Sequence, residues 1–303
     1  MTEAGPDLRG IHAVLYAFFD ASERLDRQAM RAQVKACLAA GVSGITALGL
    51  ATEVGKLTVD ERRQVMDWTA EDVAARRPLG ITILGSSVAE QVAMVRAAER
   101  AGADWLILQP PPVGSFAAGE YLDVFSRVMG ETALPCAIQN APQYLGRGLT
   151  ADDIASLLAR HPAMRVIKTE GSAIEVAALI ERTGGRLAVL NGRGGLELPD
   201  VLEAGASGFI LAPDAIDHAV RAMRAFTAGD TASAAALHAA AAPSISFVMQ
   251  SIETLICYGK RLFAARVGLP VHDRAPALRP TAFGLACVAR HAKALGTFTN
   301  TDH

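Results

Sequence analysis

One lysine is the residue of this sequence best placed for covalent chemistry. Lys168 ends a largely apolar run, residues 164–167, and stands directly before the polar turn 169–171. The chain has only five lysines against 24 arginines. Burial at a strand end removes part of the hydration of an ammonium group and favours the neutral amine, which can condense with a carbonyl group as a Schiff base. The alternative is a lysine that extends from the strand end to solvent.

The pattern around Lys168 predicts the elements that position it. Short apolar, β-rich runs alternate with helical stretches of about 12 to 18 residues, which is typical of βα units around a parallel sheet. Thr58 to Glu61 fit a helix capping box and Thr150 to Asp153 resemble one. The eight strand candidates are Ile11–Phe19, Gly44–Gly49, Leu79–Gly85, Trp105–Pro110, Pro135–Ala141, Met164–Glu170, Leu187–Gly192 and Gly208–Pro213.

Eight right-handed βα units that close on themselves form an α/β fold of the (β/α)8 TIM-barrel class. The alternative is an open, doubly wound sheet, but no GxGxxG motif follows the first strand. After about Gly229 no strand is evident, and helical stretches lie near Ala232–Gln250, Ile252–Val267 and Thr281–Leu295. We therefore predict a barrel over residues 1–228, with the active site at the C-terminal ends of its strands, and a C-terminal helical extension over residues 229–303.

Composition excludes several classes of function. The chain is 51% hydrophobic and 20% charged with a net charge of -2, so it has no polycationic surface for nucleic acid. Neither a run of about 18 apolar residues nor an apolar N-terminal signal core is present, and we expect a cytoplasmic protein without a membrane partner. The four cysteines form no CxxC pair and the seven histidines no HExxH pair, so we expect neither metal nor cofactor.

In a TIM barrel the chemistry gathers where the strands end. Lys168 is accompanied there by carboxylates, amides and hydroxyls, without a Ser-His-Asp pattern. This set indicates carbonyl chemistry on a small anionic substrate. The strand-end segments are Phe18–Phe19, Gly49–Glu53, Gly85–Ser87, Gln109–Pro112, Gln139–Pro142, Lys168–Glu170, Asn191–Gly194 and Ala212–Asp214.

Several of these segments resemble the dihydrodipicolinate synthase and N-acetylneuraminate lyase superfamily. The resemblance covers nearly the whole chain and rests on Gly49–Glu53 with Leu57, Gln139–Pro142, Val166–Lys168, Asn191–Gly192, Gly205–Ile210 and Arg279–Pro280. It implies that Lys168 condenses with the C2 carbonyl of a 2-oxo acid, whose iminium is the electron sink for reactions at C3 and C4. It also implies a homodimer or homotetramer. The substrate-binding positions implied are Ala51, Thr52, Gln139, Asn140, Asn191, Gly192 and Ile210.

The sequence departs from the family pattern where substrate is held. Family members that condense pyruvate usually carry Gly-Thr-Thr-Gly-Glu after the second strand, whereas Leu50 and Ala51 replace the threonines here. Gln139 replaces the usual acid-base tyrosine, and Tyr144 replaces an arginine that grips a second carboxylate. We therefore expect no useful dihydrodipicolinate synthase activity. A glutamine before the Asn-Ala-Pro turn is similar to the branch that dehydrates 2-keto-3-deoxy sugar acids such as 2-keto-3-deoxyarabonate.

Dehydration of such a sugar acid is the favoured hypothesis. It needs the iminium, a base near C3 and a proton for the departing C4 hydroxyl. The candidate acid-base residues are Glu53, Glu170 and Tyr144. Each has a structural alternative: Glu53 pairs with an arginine, Glu170 caps the next helix, or Tyr144 packs against the barrel rim. A pyruvate-dependent aldolase and a catalytically silent relative that binds an oxo acid are the other functional hypotheses.

The helical tail suggests where an oligomer interface lies. It carries more apolar residues than one solvent-facing layer needs, and a subunit interface or packing on the barrel would bury them. The residues concerned are Ile252, Leu255, Ile256, Leu262 and Phe263.

Overall fold

Eight parallel strands close into one barrel in chain order, as the sequence predicts. The protein is described by a computed structural model over residues 6–162 and 164–298. The strands are β1 (Gly10–Val14), β2 (Gly44–Ala47), β3 (Leu79–Ile83), β4 (Trp105–Leu108), β5 (Cys136–Asn140), β6 (Val166–Thr169), β7 (Ala188–Asn191) and β8 (Gly208–Leu211). All eight predicted strands are present, and each ends one to five residues before its predicted end.

The first strand is shorter than predicted, for a local reason. Leu15 still donates its N–H to the carbonyl of Thr46 on β2, at 3.0 Å. The next amide, that of Tyr16, donates instead to the side chain of Gln33 at 2.8 Å, and Gln33 Nε2 donates back to the Tyr16 carbonyl at 3.0 Å. The side-chain amide of Gln33 thus replaces the neighbouring strand as hydrogen-bond partner of the Tyr16 backbone. The chain leaves the sheet at this point and remains buried.

The helices surround the barrel and begin at the caps that the sequence indicates. The side chains of Thr58 and Thr150 each accept a hydrogen bond from the backbone N–H three residues on. The acidic side chain at that position accepts in turn from the backbone N–H of the threonine, so both capping boxes are confirmed. The helices are α1 (Arg27–Ala39), α2 (Val59–Val73), α3 (Val88–Ala101), α4 (Ala118–Met129), α5 (Pro142–Leu145), α6 (Ala151–Arg160), α7 (Ala173–Thr183), α8 (Leu198–Glu203), α9 (Ile216–Thr227), α10 (Thr231–Val248), α11 (Ile252–Thr254), α12 (Lys260–Val267) and α13 (Ala282–Leu295).

Helices α11 and α12 are joined by the π-helical turn Leu255–Gly259, so residues 252–267 run as one helix across the barrel mouth. Gly259 lies against Tyr16, and a Cβ at this position would stand 2.5 Å from the tyrosine hydroxyl oxygen. This close approach requires glycine. π turns are often found at functional sites, and this one borders the cavity described below.

The apolar residues of the tail pack inside the chain. Leu255, Leu262 and Phe263 are buried in the core that the barrel and its helices share. Packing on the barrel, rather than a subunit interface, therefore accounts for these three side chains. The reason is geometric, because helix 252–267 lies on the strand ends and turns its apolar face towards them.

Among the described residues, α10 is the one helix long and apolar enough by composition to cross a membrane. Its mean hydropathy of 1.2 comes largely from alanine, and 28% of the stretch is buried. The helix packs against α9, and Ile245 and Met249 reach the loop after β7.

Candidate active site

Lys168 lies inside the barrel at the C-terminal end of β6. Its register partners are Gln139 on β5 and Leu190 on β7, and only 4% of the residue is exposed. Its Nζ lies 3.4 Å from Oε1 of Glu170, which is 7% exposed. An amine and a carboxylate therefore face each other in a nearly dry environment, where electrostatic interactions are strong.

The carboxylate of Glu170 is held from its other side. Oε2 accepts a hydrogen bond from the backbone N–H of Arg193. Gly192 leaves room for this contact, because a Cβ there would lie 2.1 Å from the same oxygen. The alternative role of Glu170 as a helix cap belongs to Ser172, which forms a capping box with Glu175 at the start of α7. Glu170 is thus free to serve the site.

Tyr144 joins this pair from the short helix α5. Its side chain is half-buried and lines the same cavity as Lys168 and Glu170. Burial, and then the charge of Glu170, raise the pKa of the Tyr144 phenol above its ordinary value. The phenol accordingly remains protonated throughout the physiological range and can donate a proton.

The cavity opens among these groups and is walled mainly by apolar side chains. It is narrow, with a cavity volume of about 30 Å³. Three of its walls, Met249, Ile252 and Leu255, come from the segment after β8. The lining residues are Val14, Leu50, Ala51, Tyr144, Lys168, Glu170, Arg193, Gly194, Ile210, Ala212, Met249, Ile252 and Leu255.

Arg193 is a cavity residue that the sequence prediction left out of the site. It follows β7 in a left-handed conformation, φ 50°, and its guanidinium pairs with Glu197 at 3.1 Å. The signal was available, since a cation directly after Asn191-Gly192 at a strand end suits an anionic substrate. Residue type alone does not mark it as a site residue, because a single arginine in a turn is most often at the surface.

Glu53 is placed in an ion cluster and not at the amine. Its carboxylate lies between the ammonium groups of Lys56 and Lys260, and its side chain is 2% exposed. Burial lowers the pKa of Lys260, and the charge of Glu53 opposes that shift. The described residues around the cavity do not include Glu53. Its alternative role as an ion-pair residue fits the structure, with lysines in place of the expected arginine.

Three of the predicted substrate-binding side chains form hydrogen bonds within the protein. Thr52 Oγ1 donates to the carbonyl of Leu15 at 2.6 Å. Asn140 exchanges hydrogen bonds of 2.9 and 2.8 Å with the backbone of Leu149. Asn191 accepts from Thr169 Oγ1 at 2.8 Å and donates to the carbonyl of Gly171 at 3.0 Å. These side chains shape the loops around the site, whereas Ala51 and Ile210 line the cavity itself.

Gln139, the remaining predicted residue, belongs to a buried amide pair. Its Oε1 accepts from Gln109 Nε2 at 2.8 Å, while its own Nε2 is buried with no hydrogen-bond partner in the described structure. As for metals, the described residues include no group of three or more His, Cys, Asp or Glu that could hold an ion. The chemistry available at this site is therefore that of an amine, a carboxylate, a phenol, a guanidinium and amides.

Known proteins share both this sequence and this fold. The model of the dihydrodipicolinate synthetase family matches residues 7–282. A 4-hydroxy-tetrahydrodipicolinate synthase of Methanoculleus marisnigri is 30% identical over 236 residues, covering 76% of this chain and 80% of that protein. Dihydrodipicolinate synthase of Agrobacterium tumefaciens superposes with a TM-score of 0.84 and 27% identity, over 95% of this chain and 98% of the other. The prophage protein YagE of E. coli K12, solved in complex with pyruvate, superposes with a TM-score of 0.88 and 24% identity, over 95% of this chain and 99% of that chain.

Proposed function

The chain belongs to the dihydrodipicolinate synthetase family and is a Schiff-base lyase, and from that premise we propose that it dehydrates a 2-keto-3-deoxy sugar acid through an imine on Lys168. The observation that carries the proposal is the buried pair of Lys168 Nζ and Glu170 Oε1, 3.4 Å apart at the end of β6. It joins a nucleophilic amine to a base within reach of the atoms bonded to that amine.

Imine formation comes first. The neutral amine of Lys168 attacks the C2 carbonyl of the substrate, the carbonyl oxygen leaves as water, and a proton taken from solvent converts the imine to the iminium. C3 is then two bonds from the lysine nitrogen, which brings its protons close to the carboxylate of Glu170. Glu170 removes one of these protons, and the electron pair moves into an enamine that the iminium stabilises. The bond from Arg193 N–H holds the carboxylate in place for this transfer.

Elimination follows from the enamine. Its electron pair expels the C4 hydroxyl, and Tyr144 supplies the proton with which that group leaves as water. The raised pKa of Tyr144 keeps the phenol protonated for this step. Hydrolysis of the remaining imine frees an unsaturated 2-oxo acid and restores the amine of Lys168. The substrate thereby loses one water overall.

Recognition of the substrate carboxylate differs from the usual family pattern. Leu50 and Ala51 offer no hydroxyl, but they begin the 3-10 turn Leu50–Thr52, whose first backbone N–H groups have no acceptor within the turn. The guanidinium of Arg193 adds a positive charge at the cavity wall. Backbone amides and one arginine are thus the groups we assign to the anionic end of the substrate.

Pyruvate-dependent aldol chemistry is the second candidate. The observation in its favour is the Tyr144 phenol itself, since retro-aldol cleavage requires a group that takes the proton of the C4 hydroxyl. Synthesis of dihydrodipicolinate is disfavoured, because Leu50, Ala51 and Gln139 stand where hydroxyls and a phenol act in family members that condense pyruvate.

A substrate panel tests the proposal. The protein is incubated with pyruvate plus aspartate semialdehyde and, separately, with 2-keto-3-deoxy acids, and the products are identified by mass spectrometry. We expect loss of 18 mass units from a 2-keto-3-deoxy acid, which is the mass of one water. Release of free pyruvate from the sugar acid supports the aldolase instead, and efficient turnover of the semialdehyde contradicts both the substrate class and the reaction proposed.

The wider setting remains part of the same proposal. We assign residues 1–228 to the catalytic barrel and residues 229–303 to an extension that closes its mouth through Met249, Ile252 and Leu255. We also propose a cytoplasmic homo-oligomer that acts on a small-molecule 2-oxo acid without a cofactor and without nucleic-acid or membrane partners.

A further inference from the structure

We propose that Gln109 is a positioning residue that fixes the side-chain amide of Gln139, so that the NH2 group of Gln139 donates a hydrogen bond to the C4 hydroxyl oxygen of the substrate. The inference rests on the proposed function, because it concerns a sugar acid joined to Lys168. It makes the Gln109 and Gln139 pair a determinant of substrate choice.

The first observation is a donor without an acceptor. Gln109 and Gln139 are only 1% and 2% exposed. Gln109 Nε2 donates to Gln139 Oε1 at 2.8 Å, which turns the NH2 group of Gln139 away from Gln109. That NH2 group is buried and has no partner among the described residues. Buried donors of this kind are rare in native proteins and call for an explanation, such as a ligand that supplies the acceptor.

The second observation is where this donor lies. Gln139 and Lys168 are register partners on the adjacent strands β5 and β6. The residues that follow them, Asn140 and Thr169, bond outside the barrel to Leu149 and Asn191. Because side chains alternate along a strand, Gln139 and Lys168 both point inward. Lys168 lines the open cavity. Because Gln139 lies beside Lys168 on the adjacent strand, we infer that a substrate bonded to Lys168 comes within reach of the amide.

The backbone of Gln109 is anchored from a surrounding helix. The Gln109 backbone carbonyl accepts from Gln91 Nε2 at 3.1 Å, and the same nitrogen donates to the carbonyl of Gly85 at 3.2 Å. Gln91 itself is fully buried on α3. Gln91 thus holds the main chain from which the Gln109 side chain reaches Gln139, the residue beside the reactive lysine.

The chemical consequence is selection by an acceptor oxygen. A carboxamide donates without losing a proton, so it holds a hydroxyl oxygen at any pH at which the enzyme is folded. A 2-oxo acid that lacks the hydroxyl would leave the NH2 group unpaired in the complex. Sites built to hydrogen-bond a substrate hydroxyl discriminate strongly against analogues that lack it, for this reason. The pair therefore favours a substrate hydroxylated at C4 over an unsubstituted 2-oxo acid.

Two substitutions test the inference. Gln139→Met removes the NH2 group itself. Gln109→Met keeps the length of the side chain and removes the bond that orients the Gln139 amide. Gln33→Met is the matched control, because Gln33 is another buried glutamine, and its amide bonds the backbone of Tyr16. Thermal unfolding verifies that each variant folds, and either of the two test substitutions stands in if the other does not fold.

The readout is the preference for 2-keto-3-deoxyarabonate over 2-oxopentanoate, which has the same chain length and no hydroxyl. The concentration dependence of borohydride trapping gives an apparent affinity for each acid. We expect the wild type to prefer the hydroxylated acid, Gln139→Met and Gln109→Met each to reduce that preference on the order of tenfold or more, and Gln33→Met to retain it.

The opposing outcomes are equally specific. A wild type without the preference, or Gln139→Met and Gln109→Met variants that keep it, overturn the inference. An equal loss of affinity for both acids also overturns it, because that is what a purely structural role would produce. Trapping of either acid on Lys168 still supports the imine chemistry in these cases. Failure of the wild type to trap any 2-oxo acid counts against the proposed function instead.

Discussion

At the scale of single residues, the site depends on two groups with different duties. In the proposed mechanism Lys168 forms the covalent bond to the substrate, and Glu170 is the base that removes the C3 proton. They are 3.4 Å apart and buried, and Glu170 is held by a backbone N–H as well. Imine formation and proton transfer should therefore be separable by substitution, which a purely structural ion pair would not allow.

Glu170→Gln separates them. Glutamine retains an oxygen that can accept from the Arg193 N–H but cannot take a proton from C3. We expect the variant to form the borohydride-trapped imine while turnover falls by roughly 100-fold to 10,000-fold, the usual contribution of a general base. Steady-state kinetics and trapping on the same sample measure both quantities. Glu175→Gln, the same change at an exposed capping residue on α7, should leave turnover within about twofold of wild type. A Glu170→Gln variant with normal turnover would assign the base to another group.

Gly192→Ala tests how Glu170 is positioned. The added Cβ would stand 2.1 Å from the Glu170 carboxylate, so the carboxylate must move. We expect turnover to fall by at least about tenfold, because small displacements of catalytic groups are costly. Gly55→Ala is the control, since nothing lies within 4 Å of a Cβ at that site. Equal activity of both variants, with Gly192→Ala folded, would contradict the positioning of Glu170 by this contact.

At the scale of elements, the barrel could be predicted from the sequence, but the contacts between distant segments could not. Strand runs, helix caps and the strand-end location of Lys168 follow from local patterns, and all of them appear in the structure. Glu53 pairs not only with Lys56 but also with Lys260, 207 residues away. The cavity-lining residues Met249 and Leu255 come from the chain after β8. Such pairs are decided by how the tail crosses the barrel mouth, which periodicity does not encode. The hydrogen bond between Gln109 and Gln139 could not be predicted for the same reason, because the two residues are 30 positions apart in the sequence.

The junction of β1 and β8 gives a prediction at this scale. Asp214, after β8, is fully buried and accepts a 2.9 Å hydrogen bond from the Tyr16 hydroxyl, after β1. Burial raises the pKa of Asp214 from an ordinary 3.8 to about 6, although the bond from Tyr16 opposes the shift. A folded-state pKa above the unfolded value means that the stabilising effect is complete below about pH 4 and is lost as the pH rises through about 6.

Asp214→Asn removes this titration and keeps an acceptor for Tyr16. Relative to wild type, we expect the variant to gain about 3 kcal/mol in free energy of unfolding between pH 4 and pH 7, from a shift of about two pKa units. Urea unfolding at several pH values measures the difference. Asp230→Asn is an informative control, because its hydrogen bonds to Ser233 lower the Asp230 pKa and give the opposite sign. A difference between Asp214→Asn and wild type that does not change with pH would contradict a buried, titrating Asp214.

At the scale of the whole molecule, the open property is assembly. The tail residues Leu255, Leu262 and Phe263 are buried within the chain, so these three do not form the interface that the sequence suggested. Three apolar side chains elsewhere are exposed in the single chain: Ile174 is 83% exposed, Phe283 on α13 76% and Phe116 53%. Substitution of such side chains tests whether an interface covers them.

A homodimer or homotetramer stays a prediction, which the family resemblance implies. Multi-angle light scattering at micromolar concentration should give two or four times the chain mass of 31.7 kDa. Substitution of Ile174 and Phe283 by lysine provides the comparison, because charges at a buried interface weaken association. A monodisperse 31.7 kDa species in the unsubstituted protein would refute the assembly without touching the assignment of the active site.

The most direct test of the whole account is the mass of the Lys168 peptide after borohydride reduction. Purified protein is reduced in the presence of pyruvate or 2-keto-3-deoxyarabonate, digested, and mapped by mass spectrometry, with Lys168→Ala and Lys168→Arg as controls. Arginine stays protonated and cannot form the imine. We predict that the reduced adduct appears on Lys168 alone, that it is missing from both variants, and that their turnover falls by several orders of magnitude. An adduct on another lysine, or none with any 2-oxo acid that the protein binds, would contradict the Schiff-base mechanism at this site.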